Sequence, residues 1–347
     1  MKGTSVILDQ IAGRRAAARL IDGQLDDFLV DPPDGGSTVP GTIFRASVER
    51  PVKGLGGVFV RLPDGTGFLR NPKGLSQGDS ILVQVTGHAE PGKAIPVTNK
   101  LLFKSKYAIV TPGAPGLNLS RQIRDDEMRV RLRFLAEDLM DGSAHGVILR
   151  SESGAAPEEA LAEDIAEMRG LAETIMVETV GGPERLLDGA DSHTLAWREW
   201  GTPDEVVTEA GGFSHRGILD DLAAAATGAM PLPGGGHMFV EPTRALVAID
   251  VNTGADPSAA SGLKANLAAA VFLPRALRLR GLGGQIVVDF APLAKKERRQ
   301  IEQVLRTAFR SDPIETALVG WTPLGHFELQ RKRERLPLDA HVMEALQ

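Results

Sequence analysis

Two aspartates sit where strand ends deliver chemistry. Asp250 follows the apolar residues of LVAIDVN (246–252), and Asp289 follows those of QIVVDF (285–290). Two carboxylates brought close repel and raise one another's pKa. A hard divalent cation between them removes that penalty. Mg²⁺ is satisfied by one or two carboxylates together with waters and phosphate oxygens, and it polarises a phosphate and activates a bound water. Asn252, two residues beyond Asp250, shares its side of the strand and could orient that water or a scissile phosphate. The alternative is that each aspartate caps the loop after it, and the residues alone leave both open. A nucleotide phosphotransferase lacks support, because the chain has no GxxxxGK[ST] loop and no dinucleotide fingerprint.

Positioning two such carboxylates requires neighbouring strands. GGHMFVEPTRALVAIDVNTG (235–254) reads as a hairpin-like strand pair, followed by a helix over roughly Leu263 to Arg280, the strand of Asp289, a helix in KKERRQIEQVLRTAFRSDP (295–313) and a last strand in ALVGWTPLG (317–325). Alternation of strand and helix predicts an α/β sheet. A right-handed crossover would make the two aspartate strands parallel and bring both carboxylates to one sheet edge, where ligands bind open α/β sheets. The unbroken apolar runs predict strands covered on both faces. The basic run Arg331 to Arg335 reads as a solvated helix or tail end that could touch a phosphate backbone.

Upstream, residues 1–35 read as a strand pair around the turn Asp22-Gly23, and DPPDGGSTVPG (31–41) as a domain junction. From Gly41 to about Lys100, five short strands with little helix predict a small closed barrel such as an OB-fold. Alternation puts Val58 and Val60 on one face and Phe59 and Arg61 on the other, with Phe68 and Arg70 opposed to Leu69. An aromatic beside an arginine on a barrel's outer face makes a base-stacking platform with a phosphate partner; the other reading is that both Phe rings fill the core. Residues 106–180 hold a Pro/Gly loop, helices in 125–142 and 156–176, and a strand, GVILRSES (146–153), delivering Arg150 and Ser151 to a loop. By itself Arg150 reads as a surface ion-pair partner. Farther on, 204–210 reads as a strand and 218–228 as a helix.

The chain has 347 residues, 42% of them hydrophobic, and no cysteine. That excludes disulfides, thiolate zinc and a Cys nucleophile, and the His residues lack metal-ligand spacing. The net charge of −6 argues mildly against nucleic acid, but cations cluster at Lys100 to Lys106, Arg121 to Arg133, Arg275 to Arg280 and Arg331 to Arg335. No apolar run is long enough to span a bilayer, and the N-terminus has no signal-peptide layout, so the expectation is a cytoplasmic protein.

At the aspartates the sequence resembles the ribonuclease E/G family. The motifs are AIDVNTG (Ala248–Gly254), the Lys264, Asn266, Leu267 element, RLRGLGG (Arg278–Gly284), VVDF (Val287–Phe290) and PLGHFELQRKR (Pro323–Arg333). RLIDGQLDDFLVD (19–31), GGVFVRL (56–62) and GDSILVQV (78–85) extend the likeness over nearly the whole chain, most weakly over 160–230. The resemblance implies a multi-domain α/β and α+β fold. An RNase H-like subdomain (1–38 and a shortened 183–227) would hold an inserted S1-type OB-fold (39–103), followed by a 5′-end sensor (104–182) and a DNase I-like catalytic domain (228–337). It implies an endoribonuclease of RNA processing or decay that cuts single-stranded RNA to 5′-phosphate and 3′-hydroxyl ends. Asp250 and Asp289 would hold Mg²⁺, or Mn²⁺ in its place, with Asn252 assisting. Phe59, Phe68, Arg61, Arg70 and Lys264 would contact RNA, and Arg150 with Ser151 would bind a 5′-phosphate. The family's Cys-x-x-Cys zinc link is missing, so no zinc is expected and any homodimer would form without it. Arg244, Ala268, Gly281 and Pro292 stand where the family carries acidic residues, which makes a catalytically weakened RNA-binding protein the second reading.

Overall fold

A computed structural model describes residues 2–33, 38–49, 54, 56–90, 92–255, 258 and 260–346. The chain forms two compact units, one made of Met1–Pro32 with Pro203–Gln347 and the other of Pro33–Thr202.

The first unit opens with β1 (Thr4–Ile11), β2 (Arg14–Ile21) and β3 (Gln24–Val30), an antiparallel meander where the sequence suggested a strand pair. Both turns place two residues at positive φ: Ala12 at 50° and Gly13 at 73°, Asp22 at 50° and Gly23 at 79°. Such two-residue turns match the twist of the flanking strands. Asp-Gly announces that geometry, and Ala-Gly does not.

In the second unit, β4 (Ile43–Val48), β5 (Gly57–Leu62), β6 (Gly65–Arg70), β7 (Ser80–Val85) and β8 (Ile95–Thr98) form a five-stranded barrel, closed because β4 pairs with both β5 and β7. Its core includes Phe44, Val58, Val60, Leu69 and Val83. β9 (Phe103–Lys104), β10 (Ala108–Thr111), β11 (Leu117–Leu119) and β12 (Gly146–Leu149) make a second sheet. It buries Val110, Val147 and Leu149 with Leu132 of α1 (Asp126–Leu139) and Leu161 and Ile165 of α2 (Glu158–Met176). Asp125 caps α1 by accepting from the Met128 N–H at 2.7 Å. β13 (Glu184–Leu187) adds antiparallel to β4, and α3 (Ser192–Glu199) follows. Residues 183–202 belong to the second unit, and the first unit resumes at Pro203.

Back in the first unit, β14 (Glu205–Val207) pairs parallel to β1, and α4 (Gly212–His215) and α5 (Ile218–Ala226) cover that sheet through Phe213, Ile218 and Leu222. The final third contains β15 (Ala229–Pro231), β16 (His237–Pro242), β17 (Val247–Asn252), α6 (Ser261–Leu279), β18 (Gly284–Asp289), α7 (Arg298–Arg310), β19 (Thr316–Trp321), β20 (Phe327–Arg331) and α8 (Ala340–Ala345). The strand order is β15-β16-β17-β18-β20-β19, with β17 and β18 parallel. Both α6 and α7 pack on one face, where Val247, Ile249, Val251, Ile286 and Val288 are buried. The opposite face carries Asp250, Asn252, Gln285 and Asp289, all exposed. Burial on both faces, expected from the unbroken apolar runs, is corrected here: the half-buried Ala248 and Val287 supply the apolar letters between.

The basic run after residue 330 is also not a solvated tail. Arg331 ends β20 and is 1% exposed, its Nη2 3.0 Å from Asp312 Oδ1. Asp312 also pairs with Arg278, which reaches Asp26 on β3 at 2.8 Å, while Arg335 reaches the fully buried Asp27 at 3.2 Å. Breaking a buried ion pair by removing one partner costs about 3–5 kcal/mol, because a charge is left uncompensated. Asp312→Ala leaves Arg331 without a carboxylate and Arg278 with Asp26 alone, and is expected to destabilise the chain by about that amount in chemical denaturation. A loss below ~1 kcal/mol would show the pairing to be peripheral.

Candidate active site

The β17–β18 ladder runs Val247↔Ile286 through Asp250↔Asp289. The two aspartates are thus lateral neighbours, their backbones about 4.8 Å apart as in any sheet, both on the exposed face. Asn252 donates from Nδ2 to Asp250 Oδ2 at 2.6 Å. His326, directly after Pro323-Leu324-Gly325, places Nε2 3.8 Å from Asp289 Oδ1. Among the described residues no Lys or Arg pairs with either carboxylate. Two adjacent acids without a Lys or Arg partner, flanked by an amide and an imidazole, suit a hard cation completed by water or phosphate oxygens.

The local sequence fixes this geometry. Buried Asn266 on α6 donates to the Ala291 carbonyl and accepts from the Ala291 N–H, both at 2.9 Å, clamping the backbone just past Asp289. Gly262 permits a similar approach on the same helix, since a Cβ there would lie 2.6 Å from the Pro292 carbonyl. Gly281, at φ +62°, ends α6, and any side chain on it would collide with the Leu336 carbonyl. An aspartate is excluded there on steric grounds. Arg244 and Pro292 are exposed and Ala268 is half-buried. Lys264 lies exposed in the first turn of α6.

Three neighbours escaped the sequence reading. Phe239 and His237 on β16 lie opposite Asp250 and Asn252, with ring centroids 6.4 Å apart and planes within 24°. His326 is the third. Their signal was register across strands, which needs the pairing partner to be known.

On the barrel, Phe59 and Phe68 are direct cross-strand partners, ring centroids 5.3 Å apart. Neither joins the core, which takes Val58, Val60 and Leu69. Arg61 and Arg70 are exposed on the same side of the strands. Gly57 makes room for this pair, because a Cβ there would meet Phe68 Cζ at 2.5 Å.

Arg150 is fully engaged within its own unit. It donates from Nη1 to the carbonyls of Ser105 (2.6 Å) and Arg198 (3.2 Å), and from Nη2 to Glu199 at 2.5 Å. Ser151 starts a single 3₁₀ turn, Ser151–Gly154. Burial pushes the Glu199 carboxyl upward, but the guanidiniums of Arg150 and Arg198 outweigh it and hold the group below its ordinary value.

Fold and site together define a multi-domain α/β protein with an OB-like barrel and a paired-carboxylate site. The chain belongs to the Ribonuclease E/G family, whose sequence model matches residues 103–209 and 199–334. It is similar to Ribonuclease E of Nostoc sp., 28% identical over 85% of this chain and 51% of that one. Ribonuclease E of Synechocystis sp. is 27% identical over 92% and 56%. Ribonuclease G of Salmonella typhimurium is 26% identical over 77% and 62%. The chain therefore spans between half and two thirds of the length of these relatives. No helix among the described residues is long and apolar enough to cross a membrane.

Removing the Asn266 clamp leaves both polar groups of Ala291 without their partner, at about 1–3 kcal/mol for each buried group. Asn266→Ala is expected to lower the denaturation midpoint accordingly. An unchanged midpoint would mean that water replaces the side chain there.

Proposed function

We propose that this chain is a divalent-metal-dependent endoribonuclease acting on single-stranded RNA. The observation that carries the reading is the lateral pairing of Asp250 with Asp289 on an exposed sheet face, in a chain whose relatives are named ribonucleases. The two carboxylates would hold Mg²⁺, or Mn²⁺ in its place. When bound, that ion supplies charge neutralisation at a phosphate and lowers the pKa of a water. Asn252 already donates to Asp250 and keeps one amide hydrogen and its carbonyl oxygen for a water or phosphate. Attack in line on phosphorus would release a 3′-hydroxyl and leave a 5′-phosphate.

The barrel would grip the strand. Phe59 and Phe68 present an aromatic surface that any base can stack on, and Arg61 and Arg70 flank it for phosphate contact. Lys264 would add a cation near the cleavage site. In this reading the barrel is S1-type, the β1–β3 and β14 sheet is RNase H-like, and the β15–β20 sheet is DNase I-like. Arg150 and Ser151 would meet a 5′-phosphate, which reaches the guanidinium only by displacing the Glu199 carboxylate, one anion exchanged for another. A role in cytoplasmic RNA processing or decay fits this chemistry.

Asp250→Asn and Asp289→Asn are each expected to abolish cleavage of a single-stranded AU-rich oligonucleotide, with binding in chelator close to wild type. A wild-type chain that binds the oligonucleotide yet never cuts it with Mg²⁺ or Mn²⁺ would favour the weakened RNA-binding protein instead. For the barrel, Phe59→Ala or Phe68→Ala should weaken RNA binding by about 1–3 kcal/mol per lost stack, roughly 5- to 150-fold in Kd. Equal affinity in fluorescence anisotropy would refute the platform.

A further inference from the structure

α7 has two faces of opposite character. Ile301, Leu305 and Phe309 are buried against the sheet, and the side turned away carries Arg299, Gln303, Arg306 and Arg310, all exposed. Lys295 and Lys296, also exposed, extend the row past the start of the helix. Among the described residues none of these cations has an acidic partner. The acids of the same segment are turned to other uses: Glu302 accepts from Trp321 Nε1 at 2.7 Å and Glu297 from the Ala294 N–H at 2.8 Å. Solvated helix faces ordinarily mix signs, because like charges one turn apart destabilise the helix. A single-sign row in a chain of net charge −6 is a local field for an anionic ligand.

The row lies on the helix-covered side of the sheet, opposite the carboxylates, and only its head approaches them, around the sheet edge. Arg298, at the head of α7, lies 4.7 Å over the Trp321 ring, and its Nε has no hydrogen-bond partner. Its Nη2 is 3.3 Å from where a Cβ on Gly325 would stand. The next residue, His326, faces Asp289 at 3.8 Å. From there the helix carries Arg299 to Arg310 along about 16 Å of axis, long enough to meet several successive phosphates of an extended strand.

We propose that the outer face of α7 is a backbone track for single-stranded RNA that leaves the Asp250–Asp289 face around the sheet edge, with Arg298 at that edge and Arg299, Arg306 and Arg310 contacting phosphates beyond it. This rests on the ribonuclease reading and adds a second region of RNA contact to it. The track reads charge alone, so it is indifferent to base sequence.

The test uses the full chain carrying Arg299→Gln, Arg306→Gln and Arg310→Gln together. Glutamine keeps helix propensity, and circular dichroism checks the fold. Binding is measured in an Asp250→Asn background over a salt series, with one RNA covering only the cleavage site and one extending well beyond it. Each lost phosphate contact on a single strand removes about 0.7 from the slope of log K against log salt, so the long RNA should lose about 2. The short RNA serves as the internal reference. An unchanged slope for the long RNA overturns the track, and so does an equal loss for both RNAs. Cleavage by the otherwise wild-type chain is scored separately. Slope loss without cleavage keeps the track and sinks the nuclease reading; cleavage without slope loss does the reverse; a chain that binds no RNA sinks both. Should the triple variant lose flotation with phosphatidylserine vesicles while its RNA slope is intact, the face serves a membrane and the proposal is wrong.

Discussion

Asp312, its side chain buried, sits at the centre of a largely buried charge cluster, between Arg278 at the end of α6 and Arg331 at the end of β20. Arg278 continues to Asp26, and Arg335 closes on Asp27, so the β1–β3 meander is tied to the far side of the β15–β20 sheet by guanidinium–carboxylate pairs. Burying charges costs several kcal/mol per ion unless geometry and pairing compensate. The arrangement tolerates few displacements, since any shift of β3, α6 or β20 would strand a charge. That rigidity matters for what lies on the other face. Glycines extend the same joint: Gly281, Gly283 and Gly284 let the chain after β20 pass against the end of α6, where Cβ atoms would strike Leu336, Lys332 and Arg333.

A stiff joint allows a destabilising feature to persist nearby. Asp250 and Asp289 are lateral neighbours with no Lys or Arg partner among the described residues, an arrangement that isolated strands would relieve by slipping register. A one-residue slip would turn Val247, Ile249 and Val251 out of the core, at ~1.5–3 kcal/mol for each large side chain exposed. The apolar face therefore holds the repelling face in place. Asn266 adds a local lock on the segment after Asp289.

The arginines of this chain divide into internal fasteners and outward cations, and the distinction is one of partners. Arg150, Arg278 and Arg331 are each committed to a carboxylate within their own unit. Arg61, Arg70, Arg299, Arg306 and Arg310 face solvent and have no such partner among the described residues. Overall net charge is a poor guide to polyanion contact for this reason, because paired arginines count in the sum yet offer no field to a ligand.

Period and composition told much of the story in advance. Alternation set Phe59 and Phe68 on the face opposite Val58, Val60 and Leu69 without saying which face was the core, and the apolar runs located the strands of Asp250 and Asp289, because a strand's two faces follow from spacing alone. The absence of cysteine and the type of donor restricted the metal chemistry before any geometry. Motif spacing pointed to the family without deciding which arginine faces water. That Arg331 is interior, that Glu199 occupies Arg150, and that His326 and Phe239 adjoin the carboxylates all depend on contacts between segments distant in sequence. Such contacts are set by strand order and register, and those are fixed only when the whole hydrophobic surface is buried together.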